Sequence, residues 1–430
     1  MAQIGITGAA ERAEAPTAVR WKVFAFVAVL TVINLADRTS LSVGMPAIAK
    51  ELGLSPAMQG VLLSAFFWSY ALLQIPGGWL IDRMGPSRII AGSTLLWGVF
   101  QTAAMFAMNG FTLLLTRIGL GVAEAPLFPA GGKLNALWLA PQERARGAVI
   151  MDSGSYLGAA LGGAAIAWLI YALESWRLAF GIAGVVTIGL GFLAWRLLRD
   201  DPAAHPGVNA AELAQIRAPA PQEAAEKGRT GDAVAARVVA PMMLGRFGWA
   251  MMNFGLLTWG PSYLAQARGL DLKAMGAATF VIFGAGFLGA LTAGFLADAL
   301  QKRGLRRGVT LKLLLTISGL GTLAGFLLLP HVAEAGTAVA LLAATDFLLC
   351  FGSLYWSLPA MLAPPGKEGT VGGFMNCAGS VGGIVVPIAA GLILQATGAY
   401  AAVLTFFAGC AATYVIGTLA IPFARRGAAR

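Results

Sequence analysis

The sequence predicts an all-α membrane protein with twelve transmembrane helices arranged as two six-helix bundles, and three observations carry that reading. Hydrophobic residues make up 58% of the 430, and charged residues only 12%. An ordinary soluble domain carries roughly 25% charged residues, so too few remain here to cover a water-facing surface of this size. Apolar runs near the ~20 residues needed to cross hydrocarbon recur along the whole chain. One long polar stretch, at about 199–240, divides those runs six from six.

The spans fall at about 22–48, 57–81, 88–108, 111–138, 146–173 and 176–198, then 241–265, 273–298, 308–329, 336–362, 370–396 and 400–422. The first run is longer than the apolar core of a signal peptide and follows Glu11, Arg12, Glu14 and Arg20, so it is expected to remain as a span. Lys50-Glu51 closes span 1, Asp82-Arg83 separates spans 2 and 3, and Asn109-Gly110 separates spans 3 and 4. Pro141-Gln142-Glu143-Arg144 follows span 4, and Pro364-Pro365-Gly366 follows span 10. The polar stretch holds Asp200-Asp201-Pro202, Glu212, Arg217, Pro219, Pro221, Glu223, Glu226, Lys227 and Arg229, and reads as a linker with at most a short amphipathic helix. The organisation is thus a tail (1–21), an N-terminal bundle (22–198), a linker (199–240), a C-terminal bundle (241–422) and a second tail (423–430). Abundant glycine, 56 residues, suits close packing of membrane helices, and the runs 154–163 and 372–383 carry small residues at spacings of four.

Lys and Arg fix the orientation. With the N-terminus inside, 22 of the 30 basic side chains lie at the cytoplasmic face and only Lys50, Arg177, Arg268 and Lys273 in outer loops. Both termini are therefore expected in the cytoplasm. The same bias accounts for the net charge of +10 without a nucleic-acid partner.

Several chemistries are excluded. Cys350, Cys377 and Cys410 match no zinc or disulfide spacing and read as packing residues. The two histidines, His205 and His331, lie in loops. No metal site and no cofactor is expected. No nucleophile–base–orienter set appears, so the chain does not read as an enzyme.

A repeat runs through the chain. Gly77-Gly78-Trp79-Leu80-Ile81-Asp82-Arg83-Met84-Gly85 follows span 2, and Gly294-Phe295-Leu296-Ala297-Asp298 follows span 8 with Lys302, Arg303, Arg306 and Arg307 behind it. Each Asp closes the second helix of a half, and both halves run in the same sense. The pattern G-x-x-x-D-R-x-G in this topological place resembles the major facilitator superfamily. Gly78, Asp82, Arg83, Gly85 and Asp298 would then form its gating motif, the aspartates meeting a neighbouring helix N-terminus or nearby Arg in one conformation only.

Ionisable groups inside the spans are the other strong signal, because each is expensive in hydrocarbon unless paired or hydrated. Span 1 carries Asn34-Leu35-Ala36-Asp37-Arg38, and span 4 carries Arg117 and Glu124 on one helix face, seven residues apart. Asp152 and Asp346 lie in spans 5 and 10, whereas Lys133 and Arg246 are placed near cytoplasmic ends, where they can snorkel. The acids and bases of spans 1 and 4 read as a paired network. It is either a static tie between helices or a device in which carboxylates load protons and guanidiniums hold an anion.

Asn34-x-x-Asp37-Arg38, Gln74-Ile75-Pro76-Gly77-Gly78-Trp79, and Arg117 with Glu124-Ala125-Pro126 resemble the anion:cation symporter family, and within it the bacterial sugar-acid:proton symporters of the D-galactonate type. Trp356-Ser357-Leu358, Gly372-Gly373-Phe374-x-Asn376 and Gly382-Gly383-Ile384-x-x-Pro387 extend the match into the second half. The resemblance implies proton coupling by Asp37 and Glu124, with Arg117 as their charge partner, and Arg38 toward the substrate carboxylate. It places Tyr70, Ser353, Trp356 and Asn376 in the cavity. Ser155 stands where sugar-acid members tend to have Gln, Leu35 where they have Tyr, and Tyr355 where they have a small hydroxyl; Asn253 is an addition. Candidate substrate-binding residues are therefore Arg38, Tyr70, Ser155, Asn253, Ser353, Tyr355, Trp356 and Asn376. The expected function is proton-coupled uptake of a small organic anion, a sugar acid or other carboxylate, by a monomer in the bacterial inner membrane. Its partners are that anion, protons and the lipid bilayer. A proton-independent facilitator or exporter of the same fold, or a carrier of a non-carboxylate anion, stays open at this point.

Overall fold

The computed structural model describes residues 15–140, 143–217, 236–363 and 368–423, apart from the side chains of Gln74, Ile75, Ala145, Asp152, Ser153, Ala360 and residues 368–370. The breaks read at Pro141-Gln142 and Pro364-Pro365-Gly366, most of both tails, and Pro219, Pro221, Glu223, Glu226, Lys227 and Arg229 lie outside the described residues, as does the Asp152 side chain.

Among the described residues every regular element is helical. In the first half these are α1 (Val19–Leu52), α2 (Pro56–Met84), α3 (Pro86–Ala103), α4 (Gly110–Glu124), α5 (Leu127–Trp138), α6 (Arg144–Leu173) and α7 (Trp176–Leu197). A short α8 (Ala210–Ile216) lies in the linker. The second half holds α9 (Ala236–Gln266), α10 (Leu272–Lys302), α11 (Arg307–Leu328), α12 (Ala335–Leu349), α13 (Leu358–Leu362), α14 (Glu368–Thr397) and α15 (Tyr400–Ala420). Eleven helical segments among the described residues are long and apolar enough to span a membrane. The twelfth expected span, α9, falls short of that by composition, because Asn253, Pro261 and several Gly, Trp and Tyr residues lower its hydropathy along with Arg246, yet it is one continuous helix of 31 residues.

Local chemistry sets the helix ends. Gly53 (φ 63°) closes α1, the Ser55 hydroxyl accepts from the Met58 amide at 3.3 Å, and Pro56 supplies the first turn of α2. Asn109 and Thr112 form a reciprocal cap on α4. Gly85 (φ 85°) joins α2 to α3, and a side chain there would overlap the Asp200 carboxylate, which accepts from the Ser87 amide at 2.8 Å. The acid at the N-terminus of α3 is thus Asp200, not a member of the repeat motif.

Two expected spans prove to be broken. Span 4 divides at Ala125-Pro126 into α4 and α5, because Pro126 has no N–H to continue the ladder. Span 10 divides into α12, a 3₁₀ run Cys350–Ser357 and α13. There Pro359 starts α13, where its ring would meet the carbonyl of Tyr355 in a continuous α-helix. The fourth span of each half is broken at the same place in the repeat.

In the first half α1 packs on α6, α3 on α7 and α2 on α4; in the second α9 packs on α14 and α15, α10 on α12, and α11 on α15. Gly154, Gly158 and Gly162 of α6 lie so close to α1 that a methyl group on any of them would overlap Thr31, the Val32 carbonyl or Ala36. The halves meet through α6–α10, α2–α14 and α1–α9. Gly60 lies against the backbone of Pro387, Gly391 against that of Pro56, and Gly276 against Ala167, while Gln395 Oε1 accepts from the Ala57 amide at 3.2 Å. All these contacts lie on the face away from the start of α1 and the end of α15. On the terminal face the halves part around a cavity of about 640 Å³.

On that face Glu212 of α8, fully buried, caps α1. Its carboxylate accepts from the amides of Val19 and Arg20 at 3.2 and 3.1 Å, the Thr17 hydroxyl at 2.5 Å and the Arg20 guanidinium at 2.8 Å. Arg20 also reaches Glu143 at 3.0 Å, so one cluster ties α1, the linker and the α5–α6 connection. Burial alone would raise the Glu212 pKa. The hydrogen bonds from Thr17, Arg20 and Val19 outweigh it and hold the group below the usual carboxylate range. A lowered folded-state value means stability that is complete above the unfolded value of ~4.3 and lost as pH falls below it. Glu212→Ala should destabilise the purified protein by about 3–5 kcal/mol, as loss of one partner of a buried ion pair does. Melting of Glu212→Gln in detergent should depend less on pH between ~5 and ~3 than that of the wild type; equal pH dependence would show that the cap contributes nothing.

Candidate functional site

The charged residues of spans 1 and 4 meet in the membrane interior, but in a pattern the sequence does not give. Arg38 Nε donates to Glu124 Oε2 at 2.7 Å, a buried ion pair between α1 and α4. Its guanidinium lies over the rings of Phe66 and Tyr70, with centroids at 4.4 and 4.6 Å. The pair is not saturated: Glu124 Oε1 and Arg38 Nη2 are buried with no hydrogen-bond partner among the described residues. Asp37, on the other side of α1, has no cation within ion-pair distance among the described residues. Its Oδ2 accepts from Trp97 Nε1 and Thr187 Oγ1, both at 2.9 Å.

Arg117 is not the salt-bridge partner of either acid. Its Nη2 donates to Gln101 Oε1 at 3.1 Å, Gln101 Nε2 donates to Ser40 Oγ at 3.0 Å, and Ser40 Oγ donates to the Asp37 carbonyl at 2.6 Å. Two side chains therefore stand between Arg117 and Asp37. The cause is depth: Arg117 shares a face of α4 with Glu124 but lies two turns, about 10 Å, away along it, level with Gln101 of α3 and out of reach of Arg38's partner.

Arg38 and Arg117 line a small cleft of about 30 Å³ with Thr258 of α9 opposite, so the network borders the junction of the halves. The large cavity lies nearer the terminal face. Phe128, Tyr156, Phe287, Ser353 and Trp356 line its walls, and Asn135, Phe295 and Asp298 its mouth. Phe67 and Phe254 pack across the junction with tilted rings, centroids 4.6 Å apart. A closed face, an open cavity and a charged network between them are the parts of an alternating-access carrier.

Comparison with known proteins agrees. Residues 27–387 match the family model described as Major Facilitator Superfamily. The chain belongs to the major facilitator superfamily. It is a multi-pass membrane transporter, not an enzyme. It is 31% identical over 413 residues to a probable galactarate/D-glucarate transporter of Escherichia coli (strain K12), covering 91% of this chain and 92% of that one. A D-galactonate transporter of Escherichia coli O6:H1 is 32% identical over 393 residues, covering 88% and 90%. These relatives bear out the resemblance to sugar-acid members drawn from the motifs. A solved bacterial homologue of the human lysosomal transporter Spinster superposes with a TM-score of 0.71 at 18% identity, over 95% of this chain and 97% of that one, and shares the fold.

Within this superfamily member the remaining expected site residues divide. Tyr70, Ser353 and Trp356 lie at the junction or on the cavity wall. Tyr355 does not. It is 0% exposed, its hydroxyl is 2.7 Å from Thr418 Oγ1, and its ring packs on Tyr414 inside the second half. Consecutive residues of the 3₁₀ run are about 120° apart, so Tyr355 points into the second half and Trp356 to the cavity. Ser155, Asn253 and Asn376 are half-buried on α6, α9 and α14. The large cavity is lined by Met151 and Tyr156 on either side of Ser155, and Asn253 precedes Phe254, which packs on Phe67. Asp346 is buried in α12 against Gly286 and Cys350.

Asp82 pairs with Lys133 of α5 at 2.7 Å, within its own half, and Arg83 lies over Trp79 at 4.7 Å. Gly78 has open space beside it, and Asp298 is exposed at the cavity mouth with no ion pair among the described residues. Lys133 is thus the partner of Asp82, a role the sequence reading did not assign.

Arg246 was misplaced by the sequence. It does not snorkel: it is 8% exposed, with its guanidinium 4.1 Å from the Trp249 ring and 5.1 Å from that of Trp356. Trp249 and Trp356, at i+3 and on a broken helix, were the available signal.

Because the Arg38–Glu124 pair is buried, its members should be energetically coupled. Arg38→Met and Glu124→Leu should each lower the melting temperature, and the double substitution should recover part of the loss, with a coupling energy of at least ~1 kcal/mol. Strict additivity in that cycle would show that the pair is not formed.

Proposed function

We propose that the protein carries out proton-coupled uptake of a small sugar acid across the bacterial inner membrane by alternating access. The observation that carries this reading is the unsaturated Arg38–Glu124 pair at the junction of the halves. A proton on Glu124 removes its charge and releases the Arg38 fork to receive a carboxylate by charge-assisted hydrogen bonds. Tyr70 and Phe66 hold the guanidinium in place meanwhile.

Asp37 is suited to a second proton. Thr187 Oγ1 lies 2.9 Å from Asp37 Oδ2 and 3.0 Å from the Ala183 carbonyl, and a hydroxyl has one proton and two lone pairs. With Asp37 ionised, Thr187 donates to it. With Asp37 protonated, the acid donates to Thr187, which turns its proton to Ala183. Both states are hydrogen-bonded, so titration leaves no orphaned group behind. Gln101 and Ser40 join Arg117 to the backbone carbonyl of Asp37, beside this site.

The basic face, where the cavity opens, is taken as cytoplasmic by the positive-inside rule, so the conformation is inward-open. Asp82 then pairs inside its own half, and Asp298 stands free of the opposite half, as an open inner gate requires. The sugar-acid relatives supply the substrate class.

In proteoliposomes Glu124→Gln should reduce pH-gradient-driven uptake to background while leaving substrate exchange measurable. Normal gradient-driven uptake in that variant would remove Glu124 as an obligatory coupling site. Arg38→Lys keeps the charge but loses the fork, and should raise KM about tenfold or more, the equivalent of ~1.4 kcal/mol; an unchanged KM would argue against bidentate capture.

A further inference from the structure

Arg117 is 1% exposed, and no acid pairs with it. Among the described residues it makes no ion pair; its Nη2 donates to the neutral amide of Gln101 at 3.1 Å, and its Nε, also buried, has no acceptor. An arginine stays charged in a protein, so such an arrangement is costly unless an anion visits it. We propose that Arg117 is a substrate-binding residue, which together with Arg38 grips one carboxylate of the transported anion in the cleft between the Arg38–Glu124 pair and the closed face. This rests on the reading of the junction as a proton-coupled sugar-acid pathway and names a second guanidinium for the head group of that substrate.

The cleft has the make-up of an anion site. Arg38, Ser42, Leu63 and Arg117 line it from the first half, Leu257 and Thr258 from the second. The Ser42 hydroxyl donates to the Thr39 carbonyl at 2.9 Å and that of Thr258 to the Phe254 carbonyl at 2.6 Å, so both protons are committed. Arg38 Nη2 and Arg117 Nε are the buried N–H groups of this lining that lack an acceptor among the described residues. Leucine and phenylalanine side chains form the remaining described wall, which lowers the local dielectric and strengthens a charge pair formed there.

Both guanidiniums are held in place before an anion arrives. Gln101, fixed in turn by its bond to Ser40, anchors Arg117, whose guanidinium also lies 5.7 Å from the Phe180 ring. Phe66 and Tyr70 hold Arg38. A carboxylate offers about four acceptor sites, enough for the fork of Arg38 and one N–H of Arg117. A volume of about 30 Å³ admits a head group of roughly three heavy atoms and not the chain behind it. Leu257 and Thr258 are carried by α9, so parting of the halves at the closed face opens the cleft toward that face. With Glu124 ionised, Arg38 already has its anion. With Glu124 protonated, two guanidiniums without an acid border one cleft, and proton loading thereby strengthens capture of the carboxylate.

Binding of D-galactonate to the detergent-purified full chain tests this, read by titration calorimetry. In the Glu124→Gln background, where Arg38 has no charged partner, Arg117→Gln should weaken binding tenfold or more, and Arg117→Lys should recover part of the loss. If Arg117 serves only the acids, its removal there leaves the affinity unchanged, because Glu124 is already neutral. That result overturns the inference and leaves sugar-acid transport standing. Gln101→Leu covers the case in which Arg117→Gln does not fold. It keeps every charge but frees the guanidinium from its anchor, and should weaken binding threefold or more; an unchanged affinity again overturns the inference. Failure of the wild type to bind either D-galactonate or D-glucarate overturns the sugar-acid reading itself. The anion site is then decided by sodium formate, which fits the cleft whole. Thermal stabilisation by formate that is lost in Arg117→Gln upholds the site, and stabilisation that is absent or unaltered by the substitution overturns it.

Discussion

The interior of this protein is organised by the penalty for holding an ionised group away from water. Hydrocarbon supplies no hydrogen bonds, so each buried charge must find its partners within the protein or exchange them for a proton or a ligand. Arg38 and Glu124 meet that demand only partly, through one hydrogen bond and two aromatic faces. Asp37 meets it with neutral donors, and Arg117 with an amide. A fully satisfied cluster would be a strut. This one retains capacity for more bonds than it has formed, which is the property a binding site for transient ions needs.

The backbone breaks serve the same end. α4 stops at Glu124, and α12 gives way to the 3₁₀ run that bears Ser353 and Trp356. A helix interrupted at mid-depth can direct side chains in ways that a regular one cannot. The parallel repeat puts such an interruption on each side of the pathway. The first half uses it for an acid, the second for an indole that borders a cation. Equivalent architecture has thus been given unequal chemistry.

The fold was largely legible because hydropathy is a one-dimensional signal: span length, the 199–240 linker and the basic-loop bias need no tertiary information. The acids and bases of spans 1 and 4 were legible for a related reason, since composition alone makes a charge in an apolar run conspicuous. Their pairing was not. Arg117 stands about 10 Å along the same helix from Glu124, and whether Arg38 of α1 reaches Glu124 instead depends on the relative rotation and depth of α1 and α4, which no spacing within α1 encodes. Tyr355 was misread for a comparable reason: neighbours in a helix point about 100–120° apart, and which of Tyr355 and Trp356 faces the pathway depends on how the segment is turned within its bundle. Arg246 was misread because its distance from a helix end suggested escape to water, while its actual environment is made by Trp249, Trp356 and Gly379 from three separate elements. Ser155 and Asn253 stayed indistinct in sequence, being polar and half-buried beside the apolar residues that border the cavity.

The cap that Glu212 places on α1 has a consequence for dividing the chain. α8 lies late in the N-terminal portion of the sequence, yet its carboxylate completes the first turn of the first helix. The N-terminal half is therefore a closed ring in connectivity, its last segment returned to its beginning. A pair of fragments separated after Arg217 keeps each half whole and suits assembly from two polypeptides. A boundary drawn at the end of α7, where hydropathy alone would put it, strands the cap on the wrong fragment and leaves the amides of Val19 and Arg20 without their acceptor.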